Sequence, residues 1–168
     1  MAKQKPALLT KKTGDITAVA LNNGDFCYLR TYRFGYGVLP FLSHGILREI
    51  KKFPSLRPAF FIHIWVYSND LTPMSHIANI PFATEEESWG QPTYSPPDAI
   101  ENCYKIHGVF NGIECIIKPK SEADVIGLER FHRYQPSDLQ SVLFSRQLKW
   151  NYTPVSDATN DISDKPQK

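Results

Sequence analysis

The chain is short of cysteine: Cys27, Cys103 and Cys115 are the only three. An odd count without Cys-x-x-Cys spacing predicts free thiols in a reducing compartment. It also leaves no closely spaced ligand pairs for zinc. No apolar run is long enough to cross a bilayer, and the longest, residues 58–66, is interrupted by His63. The opening MAKQKPALLTKK carries charge without a sustained apolar stretch and does not read as a signal peptide. The expectation is a cytoplasmic protein without membrane association. Phosphate-loop, GxGxxG, HExxH and GxSxG motifs are all missing. Cys103 and His107, four apart on one strand, would lie roughly 13 Å from each other, too far for a nucleophile–base pair. The chain reads as a non-enzyme with no catalytic residue, metal ligand or cofactor.

What is present fits one domain. Of 168 residues, 42% are hydrophobic and 21% charged, enough apolar matter for a real core. Residues 1–12 read as a mobile basic lead-in, 13–150 as the domain, and 151–168 as a polar, Asp-rich, disordered tail. The net charge of +2 conceals a split of +7 over residues 1–60 and −5 over the remainder. That split reads either as a basic and an acidic surface or as an asymmetry that interleaved strands erase.

Residues 13–39 organise the rest. Two strands meet at Asn22-Asn23-Gly24, an Asn-Gly signal for a type I′ hairpin turn. Ile16, Ala18 and Ala20 share one face and Thr17, Val19 and Leu21 the other, so the first strand should be buried on both sides. The second strand, residues 25–34, places Phe26, Tyr28, Arg30, Tyr32 and Phe34 in a row. The row is either a binding surface or packing around a snorkelling Arg.

Ser43 as a cap and the Ile46, Leu47, Ile50 stripe predict a short helix near 43–53, ended by Pro54, with Arg48, Lys51 and Lys52 solvated. Residues 59–67, AFFIHIWVY, are the strongest strand, with Phe60, Ile62, Ile64 and Val66 towards the core. Residues 74–82 suggest an edge strand. Glu85, Glu86, Glu87 and Trp89 follow, before a Pro-rich loop, as an acidic patch with an apolar anchor for a partner, or as a solvated loop with Trp89 tucked under it. A second hairpin turns at Asn111-Gly112, and a helix near 136–149 opens at Pro136 and faces the body with Leu139, Val142 and Leu143. The elements predict an α+β fold: a mostly antiparallel, strongly curved sheet, an SH3-like, partly open barrel, with those two helices.

Three local signatures carry a resemblance. GDITAVALNNGDFCYLR at residues 14–30, IWVY at 64–67, and GLE at 127–129, followed by an aromatic and a terminal helix, together resemble the immunity protein 26 family of bacterial polymorphic-toxin systems. The likeness spans residues 13–150. It departs at Cys27 and Leu29, where the family has glycines, and at Phe131 or Tyr134, where it has Trp. The resemblance implies a cytoplasmic protein that binds and neutralises a cognate toxin without catalysis. Two surfaces would serve: Glu85, Glu86 and Glu87 with Trp89 against a basic cleft, or the Tyr28, Arg30, Tyr32 row. The competing reading is a nucleic-acid-binding barrel that stacks bases on Tyr28, Tyr32 and Tyr36 amid the basic first third.

Overall fold

A computed structural model describes residues 12–64, 74–134 and 138–149. Alternation builds the first strands as expected. β1 (Asp15–Ala20) pairs antiparallel with β2 (Asp25–Thr31), Ile16 opposite Arg30 and Ala20 opposite Phe26. The turn between them differs from the expectation. Only Gly24 has a positive φ there, and its N–H reaches the Leu21 carbonyl at 3.1 Å. Asn23 keeps a negative φ, so the link is a right-handed turn closed by a left-handed glycine, not a type I′ pair. Asn23 instead uses its side chain, donating from Nδ2 to buried Asp25 at 2.6 Å.

β2 stops at Thr31, short of Phe34, and the chain turns through residues 32–35 into β3 (Tyr36–His44). β3 pairs Leu42 with Cys27 and Val38 with Leu29, so Leu39, Pro40 and Phe41 bulge opposite Tyr28. The bulge explains a proline in a central strand: its missing N–H falls where the ladder is already interrupted. β4 (Phe60–Ile64) joins β3, and β5 (Met74–Asn79) joins β1 as an edge strand. Residues 65–67 of the expected strand, with Val66 assigned to the core, lie outside the described residues.

The helix expected near 43–53 is absent. Ser43 stays in β3 opposite Phe26, and its Oγ donates to the Ile46 carbonyl at 2.6 Å. Gly45 then turns the chain, and only Ile50–Lys52 closes a 3-10 turn. Strand pairing has taken the residues that would have formed the first helical turn. Ile46 is exposed, whereas Leu47, Ile50, Phe53 and Leu56 pack down on the sheet. Arg48 is buried, not solvated, and its Nη1 donates to the Lys52 carbonyl at 3.3 Å.

A second sheet contains β6 (Thr93–Ser95), β7 (Lys105–Phe110), β8 (Ile113–Ile117) and β9 (Glu129–Arg130), in the order β8-β7-β6-β9. Asn111 and Gly112 both have positive φ, so this hairpin does use the type I′ turn. β10 (Arg133–Tyr134) returns to the first sheet beside β4, giving the order β10-β4-β3-β2-β1-β5. The first three strands thus stay together at the centre of that sheet, flanked by β4 and β10 on one side and by β5 on the other. That sheet curves strongly into a half-barrel.

Both faces of the curved sheet are covered. Tyr28, Leu39, Phe41, Ile16 and Ala18 form one cluster under residues 47–56. Val19, Leu29, Val38, Leu42, Phe60 and Ile62 form the other, closed by Leu139 and Leu143 of the helix α1 (Leu139–Lys149). Gln140 Nε2 ties that helix to the Ala20 carbonyl at 2.6 Å. Ile64 is only half-buried at the rim of this core. The helix runs as expected from Leu139, and Pro136 lies outside the described residues. So do the basic lead-in before Lys12 and the tail from Trp150 onward.

Candidate partner-binding surface

The three glutamates sit on a short ledge whose backbone is bonded internally. Thr84 Oγ1 accepts the Glu87 N–H at 3.3 Å, and Glu87 Oε2 accepts the Ala83 N–H at 3.2 Å. Ser88 Oγ donates to the Glu85 carbonyl at 2.5 Å, within a 3-10 turn over Glu86–Ser88. The ledge is also fastened to the turn between β2 and β3. The Arg33 N–H donates to the Ser88 carbonyl at 2.7 Å and the Phe34 N–H to the Trp89 carbonyl at 3.2 Å. Gly90 makes the close approach possible: its φ is +84°, and a Cβ there would sit 2.5 Å from the Phe34 carbonyl oxygen.

Glu85, Glu86 and Glu87 are all exposed, but they are not equivalent. Arg33 Nη1 lies 2.7 Å from Glu85 Oε1. Glu87 is turned back on its own backbone. Glu86 makes no side-chain hydrogen bond or ion pair among the described residues, so its charge projects most freely. Trp89 is not an exposed anchor. It is half-buried, and its indole Nε1 is shut off from solvent without a hydrogen-bond partner.

The Tyr28, Arg30, Tyr32 row is buried, which is the packing alternative for it. Tyr28 has no exposed surface; its hydroxyl lies 2.6 Å from Ser43 Oγ and accepts the Arg48 N–H at 2.7 Å. Arg30 stacks its guanidinium 3.7 Å from the centre of the Phe82 ring and donates from Nη2 to the Ile80 carbonyl at 3.1 Å. Tyr32 packs edge-on to Phe61 and tilts against Phe82. Burial raises the Tyr32 phenol above its ordinary pKa, and the nearby Arg30 charge opposes that rise. Arg30 and Tyr32 are therefore props beneath residues 80–82, the segment that leads from β5 into the acidic ledge. The two surfaces considered separately are one assembly, with the ledge outside and the row inside. Tyr36 is buried too, so the three tyrosines offer no open stacking platform.

A cluster between the two sheets has no local signature in the sequence. His107 lies flat on Phe131, ring centres 4.3 Å apart and planes within 6°. His63 tilts against the same Phe131 and against Phe34. Ser95 Oγ is 2.7 Å from His107 Nε2. Burial chiefly, then Arg133 and His107, pushes His63 down to about 4, so its ring is neutral at physiological pH. Burial also lowers His107, helped by Arg133 and Lys105. Pairing of β6 with β7 creates the Ser95–His107 contact, and the return of β10 brings Phe131 beside His63. The sequence singles out His107 only for its spacing from Cys103 and His63 only as an interruption of residues 58–66; topology alone brings the two together on Phe131. Among the described residues no three His, Cys, Asp or Glu side chains converge on a metal position.

The chain matches no known family, curated protein or solved structure. No helix among the described residues is long and apolar enough to cross a membrane.

Proposed function

We propose that this chain is a cytoplasmic immunity protein that binds and neutralises a cognate toxin domain without catalysis of its own. The observation that carries the reading is the carboxylate ledge. Three glutamates face solvent on a turn held by its own hydrogen bonds and clamped to the sheet. A preformed ledge loses little conformational entropy on binding, and its negative potential suits a basic cleft such as a nuclease presents. The resemblance of residues 14–30, 64–67 and 127–129 to immunity proteins points the same way. Burial of Tyr28, Tyr32 and Tyr36 weighs against base stacking as the alternative.

The test is co-expression with the toxin domain encoded beside the gene. The parent protein should protect cells. Simultaneous Glu85→Lys, Glu86→Lys and Glu87→Lys should weaken toxin binding by roughly a hundredfold or more, since losing one desolvated charge partner already costs about 2–5 kcal/mol. The melting temperature should stay within a few degrees of the parent's, because the reversed side chains are exposed. Full protection by the triple variant would overturn the ledge as the interface. Failure of the parent to bind or protect would overturn the immunity reading.

A further inference from the structure

β8 is an edge of the four-stranded sheet, and both its faces are open: Ile113, Ile116 and Ile117 are 66%, 60% and 39% exposed. Phe110 and Ile113 flank the two-residue turn, so they exchange both backbone hydrogen bonds. Alternation then aims the N–H and C=O of Ile113, Cys115 and Ile117 at β7. Those of Glu114 and Ile116 aim outward, with Lys118 next in the series. A bare strand edge is a pairing template, and edge charges normally guard it. Glu114 and Lys118 guard this edge against a strand of either uniform charge. They do not guard it against a copy of itself.

We propose that β8 pairs antiparallel with β8 of a second copy, about a twofold axis through Ile116. Outward-pointing residues must lie opposite one another, and three registers set the outward residues of β8 itself, Glu114 and Ile116, against each other. An axis at Glu114 sets two carboxylates face to face, which is unfavourable. An axis at Cys115 places Glu114 against Ile116 and leaves Lys118 opposite Gly112. An axis at Ile116 places Glu114 opposite Lys118 of the second copy, twice, with the two Ile116 side chains between the ion pairs. On the other face Cys115 meets Ile117. This register alone satisfies both charges and covers the isoleucines on both faces.

The groups are available for it. Glu114 has no ion pair among the described residues. Lys118 has a single long contact, 3.8 Å to Glu101, and is 69% exposed. Five residues of edge pairing bury little area, so the dimer belongs to the weak, transient class and should populate at concentrations on the order of 100 μM.

Sedimentation velocity on the full chain, from about 1 to about 300 μM, reads the equilibrium directly. The dimer fraction should rise with concentration. Glu114→Lys or Lys118→Glu alone should weaken dimerisation roughly tenfold, because each turns two attractive cross-strand pairs into repulsive ones. The double exchange, Glu114→Lys with Lys118→Glu, should restore the parent's value. Circular dichroism confirms that each variant keeps the fold. A monomer at every concentration overturns the proposal. A dimer indifferent to Glu114→Lys, or a double exchange as weak as the single changes, overturns it equally, since the pairing would then lie elsewhere or in another register.

Discussion

The imidazole of His63 lies 4.7 Å from the ring of Phe131, joining the first sheet to the segment that returns from the second. Its Nε2 is buried without a hydrogen-bond partner. A proton there would be cut off from water and, secondarily, would face the Arg133 charge, which is why its pKa drops from 6.5 to about 4. The unfolded chain binds that proton near pH 6.5 and the folded chain only near pH 4. Between those values the unfolded state holds more protons, so stability should fall as pH drops from 6.5 towards 4 and level off below. The loss attributable to this residue is at most about 3 kcal/mol. Urea midpoints for the parent and His63→Leu, measured across that window, should converge at low pH. Parallel curves would show that His63 protonates as readily folded as unfolded. His107 contributes in the same direction, so some slope should survive in the variant.

Tyr28 should matter through its hydroxyl as well as its ring. That oxygen accepts the Arg48 N–H and contacts Ser43 Oγ, both in the interior. Tyr28→Phe keeps the packing against Phe41 and Phe53 but strands the Arg48 donor. The expected cost is about 1–3 kcal/mol, the desolvation penalty of a buried group left unpaired. Chemical denaturation measures it, and an unchanged midpoint would mean that water replaces the hydroxyl without loss.

The thiols should separate by reactivity. Cys27 is buried and its pKa is pushed up to about 12 by desolvation, so little thiolate exists to react. Cys103 and Cys115 are partly exposed. A thiol reagent should label two cysteines in the native protein and the third only as the chain unfolds. Three equally fast thiols would show that the β1–β2 hairpin opens on the labelling timescale.

The sequence made the local elements legible and hid what depends on register. Alternation predicts β1, the edge strand β5 and the hairpin of β7 and β8, and the helical spacing of Leu139, Val142 and Leu143 predicts the inward face of α1. The sequence pattern misleads at 43–53, where the helical spacing of Ile46, Leu47 and Ile50 predicts a helix that does not form. Strand pairing carries β3 through His44, and the three side chains then diverge, with Ile46 exposed and the other two turned onto the sheet. It misleads again at the first Asn-Gly turn, because Asn23 binds Asp25 with its side chain and leaves the left-handed position to Gly24 alone. For the candidate surface, the exposure of Glu85, Glu86 and Glu87 was readable from charge. The half-burial of Trp89 was one of two readings of that loop, and the close approach of Gly90 to Phe34 decides for it. Arg30 is similar: a charged residue in an aromatic row reads as surface or as packing, and Phe82, fifty-two positions later beneath its guanidinium, decides for packing.

Arg33 offers a test of the ledge that does not touch its glutamates. The guanidinium neutralises Glu85 at 2.7 Å across an exposed gap. Exposed pairs of this kind contribute about 0–1 kcal/mol, so Arg33→Gln should barely change stability. The backbone bonds from Arg33 to Ser88 and from Phe34 to Trp89 do not depend on the side chain, so the ledge keeps its place. What changes is charge, because Glu85 loses its internal counter-ion and its full negative field reaches solvent beside Glu86. If a basic toxin cleft docks here, association should quicken by about threefold at low ionic strength, and the gain should shrink as salt screens it. Stopped-flow binding at two salt concentrations reads both effects. An unchanged rate would place the docking site beyond the reach of this charge. A slower rate, with stability intact, would show that Arg33 itself meets an acidic group on the partner and that the ledge faces away.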